Sequence, residues 1–133
     1  MSQEKLSAFL MGSPYLKFLG LGFEVVEDGV LANLPFSPHL VGNVQLPALH
    51  GGVLAAFMEA TAKAGLLALA DVNTPPVASN VTIDYLRSGR PVLTHARARL
   101  VKVGRRVSNV HVEAWQEDVT RPVAALRGHF LMS

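Results

Sequence analysis

The sequence predicts an α+β fold: an antiparallel sheet of about six strands wrapped around one long helix. Three observations carry this. Between Val53 and Ala70 only Glu59, Thr61 and Lys63 are polar, so that segment is a helix that must be enclosed. From Val77 onward, four segments read as strands, the first three of them alternating between two faces. Short connections between those segments favour antiparallel pairing. The 133 residues, half of them hydrophobic and 17% charged, suit a single domain, 1–133, with a real core.

The elements follow in order. Lys5–Met11 reads as a short opening helix. A second short helix follows from Ser13 as N-cap and Pro14 at the first helical position, and Gly20 and Gly22 end it. Phe23–Glu27 and Val30–Pro35 form a hairpin about Asp28-Gly29. Residues 36–49, with Pro38, Gly42, Asn43 and Pro47, read as a loop. The long helix spans about Gly51 to Ala70 and is terminated by Asn73-Thr74-Pro75-Pro76. Strands are expected at Val77–Arg87, Leu93–Val103, Val107–Gln116 and Val123–Met132. In the first of these, Val77, Ser79, Val81, Ile83 and Tyr85 are expected on one side.

Composition excludes several classes. There is no cysteine, hence no disulfide scaffold, thiolate metal cage or Cys nucleophile. Five scattered histidines show no metal-ligand spacing, so no metal is expected. The opening Met1-Ser2-Gln3-Glu4-Lys5 lacks the pattern of a secretory signal, and a cytoplasmic location is the expectation. The apolar run Val53–Ala70 is long enough to suggest a membrane span. Glu59 and Lys63 near its middle would each cost about 2.5–3.5 kcal/mol there, so a core helix is the better reading. The net charge of +2 is unevenly distributed. Residues 1–80 carry three basic and six acidic groups, or −3; residues 81–133 carry nine and four, or +5. All eight arginines lie at or after Arg87, which points to an anionic ligand. Nucleic acid is a poor candidate, because the net charge is small and aromatic stacking positions are few.

The long helix holds the most informative group. At helical spacing Gly52, Ala55, Ala56, Glu59, Ala62, Lys63 and Leu66 form one stripe, mostly of small residues. Glu59 therefore projects from a low surface that a ligand or second backbone could approach. Glu59 and Lys63 also have the spacing of a simple helix-surface ion pair, worth about 0.2–0.5 kcal/mol. Alternatively, a partly buried carboxylate suits general-base work. Just upstream, Leu49-His50-Gly51-Gly52-Val53 places two glycines at the helix start. Unpaired N–H groups at a helix N-terminus form a site for an oxyanion, and glycine lets a ligand come close. The bland reading is a tight loop-to-helix turn.

Leu49-His50-Gly51-Gly52-Val53-Leu54 followed by Glu59, nine positions after the histidine, resembles the hot-dog-fold acyl-CoA thioesterases, in particular their phenylacetate-degradation-type (PaaI-like) branch. Further similarity lies in Leu19-Gly20 to Leu34-Pro35, Ile83-Asp84-Tyr85-Leu86-Arg87, Val103-Gly104-Arg105-Arg106-Val107 and Val123-Ala124 to Phe130. The resemblance implies hydrolysis of an acyl- or aryl-coenzyme A without a cofactor. It implies a homodimer joined edge to edge, often a dimer of dimers (a homotetramer). The Gly51 N–H would polarise the thioester carbonyl, with Gly52 beside it. Glu59 of the other protomer would act as general base on water or as nucleophile. An amide residue of the preceding loop, Asn43 or Gln45, would hold the carboxylate or water. His50 would shape the loop, and Ser79 or Asn80 would line the cleft. Arg87, Arg105 and Arg106 would hold coenzyme A phosphates. Arg97, Arg99 and Arg127 read as a solvated or subunit-contact outer face. Phe57, Met58, Leu40 and Leu46 are candidates for the acyl lining.

The chain departs from the family pattern at three points. The acid is Glu where the nearest branch usually has Asp. Asn43 lies seven residues before His50 rather than six. Lys63 stands where small hydroxyl residues often sit, and a cation beside the carboxylate opposes its use as a base. Two other functions share the same features. A hydroxyacyl-thioester dehydratase or hydratase would release no thiol, and a non-catalytic acyl-CoA binding module would bind without turnover.

Overall fold

The computed structural model describes residues 2–27, 29–36, 51–70 and 72–132. Helix α1 spans Ser2–Met11 and α2 spans Pro14–Leu19. Local chemistry bounds α2 at both ends. The Leu16 N–H donates to the Ser13 hydroxyl oxygen at 3.3 Å, satisfying one of the free N–H groups of the first turn. Gly20 closes the helix in the left-handed region at φ 79°. Its N–H donates to the carbonyls of Leu16 and Lys17.

Strands β1 (Gly22–Val26) and β2 (Gly29–Leu34) form the expected antiparallel hairpin, with Val26 facing Gly29. Asp28 of its turn lies outside the described residues. After α3 (Gly51–Leu69) come β3 (Val77–Tyr85), β4 (Thr94–Val103), β5 (Val107–Trp115) and β6 (Ala124–Leu131). Six strands form one antiparallel sheet in the order β1-β2-β4-β5-β6-β3. The α+β architecture is as expected, and the strand ends fall within two residues of the expected ones.

Helix α3 is long and apolar enough to cross a membrane, yet most of that stretch is buried against the sheet. Its buried residues include Leu54, Phe57, Met58, Ala62 and Leu66. They pack with Leu34, Ala96, Ala98, Val110, Val112, Leu126 and Phe130 from the inward positions of the strands. Each large side chain buried in this way contributes about 1.5–3 kcal/mol. Phe57 and Met58 are fully enclosed here, so within the chain they are core residues rather than an open acyl lining. Gly65 lets the helix lie close on the sheet: a Cβ there would lie 3.0 Å from the Ala98 Cβ. A second cluster joins Leu6 of α1 to Val30, Ala64, Leu67 and Val72. The Lys5 ammonium donates to the Val72 carbonyl at 2.8 Å, tying α1 to the segment after α3.

The outward rows on β4 and β5 follow the expected alternation. His95, Arg97 and Arg99 face away from Ala96, Ala98 and Leu100; Asn109, His111 and Glu113 face away from Val110, Val112 and Ala114. Strand β3 departs from it. A bulge between Ala78 and Asn80 inserts Ser79 into the ladder and shifts the phase by one residue. Ala78, Val81 and Ile83 therefore pack on the core, while Val77 and Ser79 are exposed; Tyr85 keeps the phase of Ile83 but stands exposed at the strand end.

Candidate functional site

The open stripe on α3 is shorter than its sequence periodicity implies. Gly52, Ala55, Ala56, Glu59 and Lys63 remain accessible, whereas Ala62 and Leu66 are fully buried. Ala62 and Leu66 belong to the core cluster that α3 forms with the strands, and this ends the stripe. Glu59 keeps 41% of its side chain exposed, and its Oε2 lies 3.6 Å from the Lys63 ammonium. At that exposure the pair adds only a few tenths of a kcal/mol to stability. The carboxylate is thus open to a ligand on a surface of small side chains.

At the start of α3, Gly51 is half-buried and Gly52 exposed. The first turn lies at the positive end of the helix dipole. Tyr85, at the end of β3, fixes this turn. Its hydroxyl donates to the Gly51 carbonyl at 2.9 Å. A Cβ on Gly51 would lie 3.5–3.6 Å from the Tyr85 ring. Sequence reasoning missed this role, because Tyr85 read as one more residue of an alternating strand. The only local hint was a phenol at a strand end, and the strand alone names no partner for it. Glu59 lies eight residues beyond Gly51, about 12 Å along the helix axis.

The expected loop residues Asn43, Gln45 and His50 lie outside the described residues, as do Leu40 and Leu46. Ser79 is exposed at the bulge. Beside it, Asn80 Oδ1 contacts His129 Nδ1 at 2.9 Å. Among the described residues, no group of three or more histidines and acids could hold a metal ion.

The register separates the three arginines grouped by the sequence. Tyr85 of β3 pairs with Ala124, and Ala124 pairs with Ala114 near the end of β5. Arg87 therefore lies at the end of the sheet that carries the α3 N-terminus. Arg105 and Arg106 precede Val107 at the start of β5, about 30 Å away over a strand of nine residues. At the near end, Arg87, Ser88, Arg90, Gln116, Glu117, Asp118 and Arg121 line a cleft of about 240 Å³. The Arg87 guanidinium donates to the Pro122 carbonyl at 2.5 Å, and Arg90 is ion-paired with Glu117. Thr120 donates to the Asp118 carboxylate through its hydroxyl and its N–H, at 2.7 and 2.9 Å. With Arg121 and Arg87 nearby, these bonds hold the Asp118 carboxyl below its ordinary range. Arg90 and Arg121 were not singled out from the sequence; only the folded sheet brings them beside Arg87.

Comparison with known proteins places this geometry in a family. A family model described as the thioesterase superfamily matches residues 46–123. The chain is similar to YigI, a medium/long-chain acyl-CoA thioesterase of Salmonella typhimurium. The two are 30% identical over 127 residues, covering 83% of this chain and 80% of that protein. Among solved structures, a Chromobacterium violaceum protein is 34% identical, with a TM-score of 0.77 and coverage of 98% and 91%. The E. coli PaaI protein from the phenylacetic acid degradation operon shares the fold at 20% identity. Its TM-score is 0.76, covering 98% of this chain and 92% of that one. With more than half its residues matched by the family model, the chain belongs to the thioesterase superfamily, and its sheet-wrapped helix is the hot-dog fold.

Proposed function

We propose that the protein hydrolyses the thioester of an acyl- or aryl-coenzyme A, with Glu59 as the acting carboxylate. The observation that carries this reading is the exposed Glu59 on the open small-residue stripe of α3, in a chain of the thioesterase superfamily. The similarity to an acyl-CoA thioesterase supports coenzyme A as the leaving group. In the general-base route, the Glu59 carboxylate takes a proton from water as the water oxygen bonds to the thioester carbon. The Gly51 N–H stabilises the resulting oxyanion. The C–S bond then breaks, and the coenzyme A thiolate takes up a proton. In the nucleophilic route, Glu59 itself attacks, and water hydrolyses the resulting anhydride.

One chain cannot bring both groups to one carbonyl, because Glu59 and Gly51 lie about 12 Å apart along one helix. A complete site therefore takes Glu59 from a second copy. The open edge strand β3, with Val77 and Tyr85 exposed, supports pairing of two sheets there. A homodimer or a dimer of dimers follows. Such pairing would also bring the two separated arginine ends of different protomers toward one another. The decisive experiment follows thiol release from a panel of acyl-CoAs with wild type and Glu59→Ala. A loss of about 10²–10⁴-fold is expected, and unchanged turnover removes Glu59 from the mechanism. The Glu59–Lys63 contact favours a second reading, an acyl-CoA binding module in which that pair is structural. Tight binding without thiol release across the panel would establish it.

A further inference from the structure

The outward face of the sheet carries an arrangement for which thioester hydrolysis has no use. The register sets Arg99, His111 and Arg127 directly opposite one another on β4, β5 and β6. Each arginine directly opposes His111, with Cβ atoms about 4.5–5.5 Å apart, so two guanidiniums flank one imidazole on the same face, two strands or about 10 Å apart. No acid stands in the row, since the residue beyond Arg127 on β3 is Thr82. The acids of this face, Glu113 and Asp84, lie in the neighbouring row with Arg97. Among the described residues the ion pairs are Glu59–Lys63 and Arg90–Glu117, so none of the three guanidiniums is paired with either acid.

The imidazole adds a third donor. Arg99 Nη2 and His111 Nδ1 lie 3.3 Å apart. A guanidinium has no acceptor, so in this contact Nδ1 accepts and Nε2 is the ring N–H left to donate. All three side chains line a groove of about 350 Å³, together with Arg97, Trp115, Val119 and, from the neighbouring row, the two acids Asp84 and Glu113. That volume falls at the lower end of small-ligand sites.

We propose that this groove binds a phosphorylated small molecule, with a phosphate seated between Arg99 and Arg127 over His111. Two guanidiniums and an imidazole N–H supply the donors that a phosphate accepts, and the anion would sit between two positive charges held on one face. Trp115 offers an apolar wall to the rest of the ligand. Helix α3 and Glu59 lie on the opposite face of the sheet, so this site stands or falls independently of thioesterase activity.

The test titrates the full chain, in phosphate-free buffer, with inorganic phosphate, pyrophosphate and ADP. Trp115 is the only tryptophan, so its fluorescence reports on the groove, and NMR of the His111 ring reports on the anion. Saturable binding with a shift of the His111 resonances is expected. Arg99→Gln and Arg127→Gln should each weaken it about tenfold or more. Lys17→Gln, on α2, should leave it unchanged. Both arginines are exposed, so the variants should fold, and circular dichroism checks this. Tighter binding of ADP than of pyrophosphate, with a change in Trp115 fluorescence, identifies a nucleotide as the ligand; equal affinity identifies the phosphate alone as recognised. Absence of saturable binding by all three probes overturns the proposal, as does binding indifferent to both arginine substitutions. Light scattering adds a third refutation: no phosphate binding, together with a changed mass in Arg127→Gln, would make this face a contact between copies.

Discussion

Gly51→Ala separates a role for the helix start in packing from a role in approach to substrate. A methyl group at Gly51 would lie 3.5–3.6 Å from the Tyr85 ring, an ordinary van der Waals contact. Gly51 has no positive φ, so alanine fits its backbone. In a helix interior this exchange stabilises by about 0.5–1 kcal/mol, and in the first turn the gain is between zero and about 1 kcal/mol. For a chain of 133 residues the unfolding entropy is about 0.28 kcal/mol/K, so Tm should rise by zero to about 4 °C. Activity should move the other way. If a thioester oxygen approaches the Gly51 N–H, the methyl group holds it off, and loss of one oxyanion donor costs about 10²–10³-fold. Differential scanning calorimetry and a thiol-release assay read the two effects separately. A fall in Tm of several degrees would refute the packing argument. Full activity in a stable variant would refute close approach at Gly51.

Three further outcomes follow from the packing and the electrostatics. Gly128→Ala should destabilise by about 1–3 kcal/mol, because its Cβ would lie 2.8 Å from the Asn80 carbonyl oxygen and 3.0 Å from Val81; an unchanged urea midpoint would show that the bulge yields freely. Ser13→Ala removes the N-cap of α2 and should cost about 0.5–2 kcal/mol, read by urea denaturation. Thr120→Val should raise the Asp118 value toward the ordinary aspartate range, followed by NMR of its carboxyl group. Because the folded value is lowered, the associated stabilisation is present above about pH 3.9 and is lost as pH falls through the lowered value. An Asp118 titration unmoved by the substitution would contradict that assignment.

Where the controlling interactions were local, the sequence was readable. Ser13, Pro14 and Gly20 bound α2 through contacts within four residues of one another. The hairpin and the alternating strands β4 and β5 appeared because burial on one face imposes a period of two. The apolar content of α3 already required an enclosing sheet. The phase of β3 was not readable, because a bulge at Ser79 depends on how β3 registers against β6. The length of the open stripe was not readable either, since the seating of α3 in the tertiary core decides which of its positions are covered.

The candidate site divides in the same way. The amino-acid sequence by itself determined the helix, its acid at Glu59, the paired glycines at its start and the basic bias of residues 81–133. These are matters of residue type and spacing along one element. Only the tertiary structure decided that Tyr85 clasps the Gly51 carbonyl and that Arg87 joins Arg90 and Arg121 rather than Arg105 and Arg106. It also decided that Arg99, His111 and Arg127 stand in one row. The physical reason is that strand order and register bring together residues far apart in the chain. A shift of one position turns a side chain to the other face of the sheet.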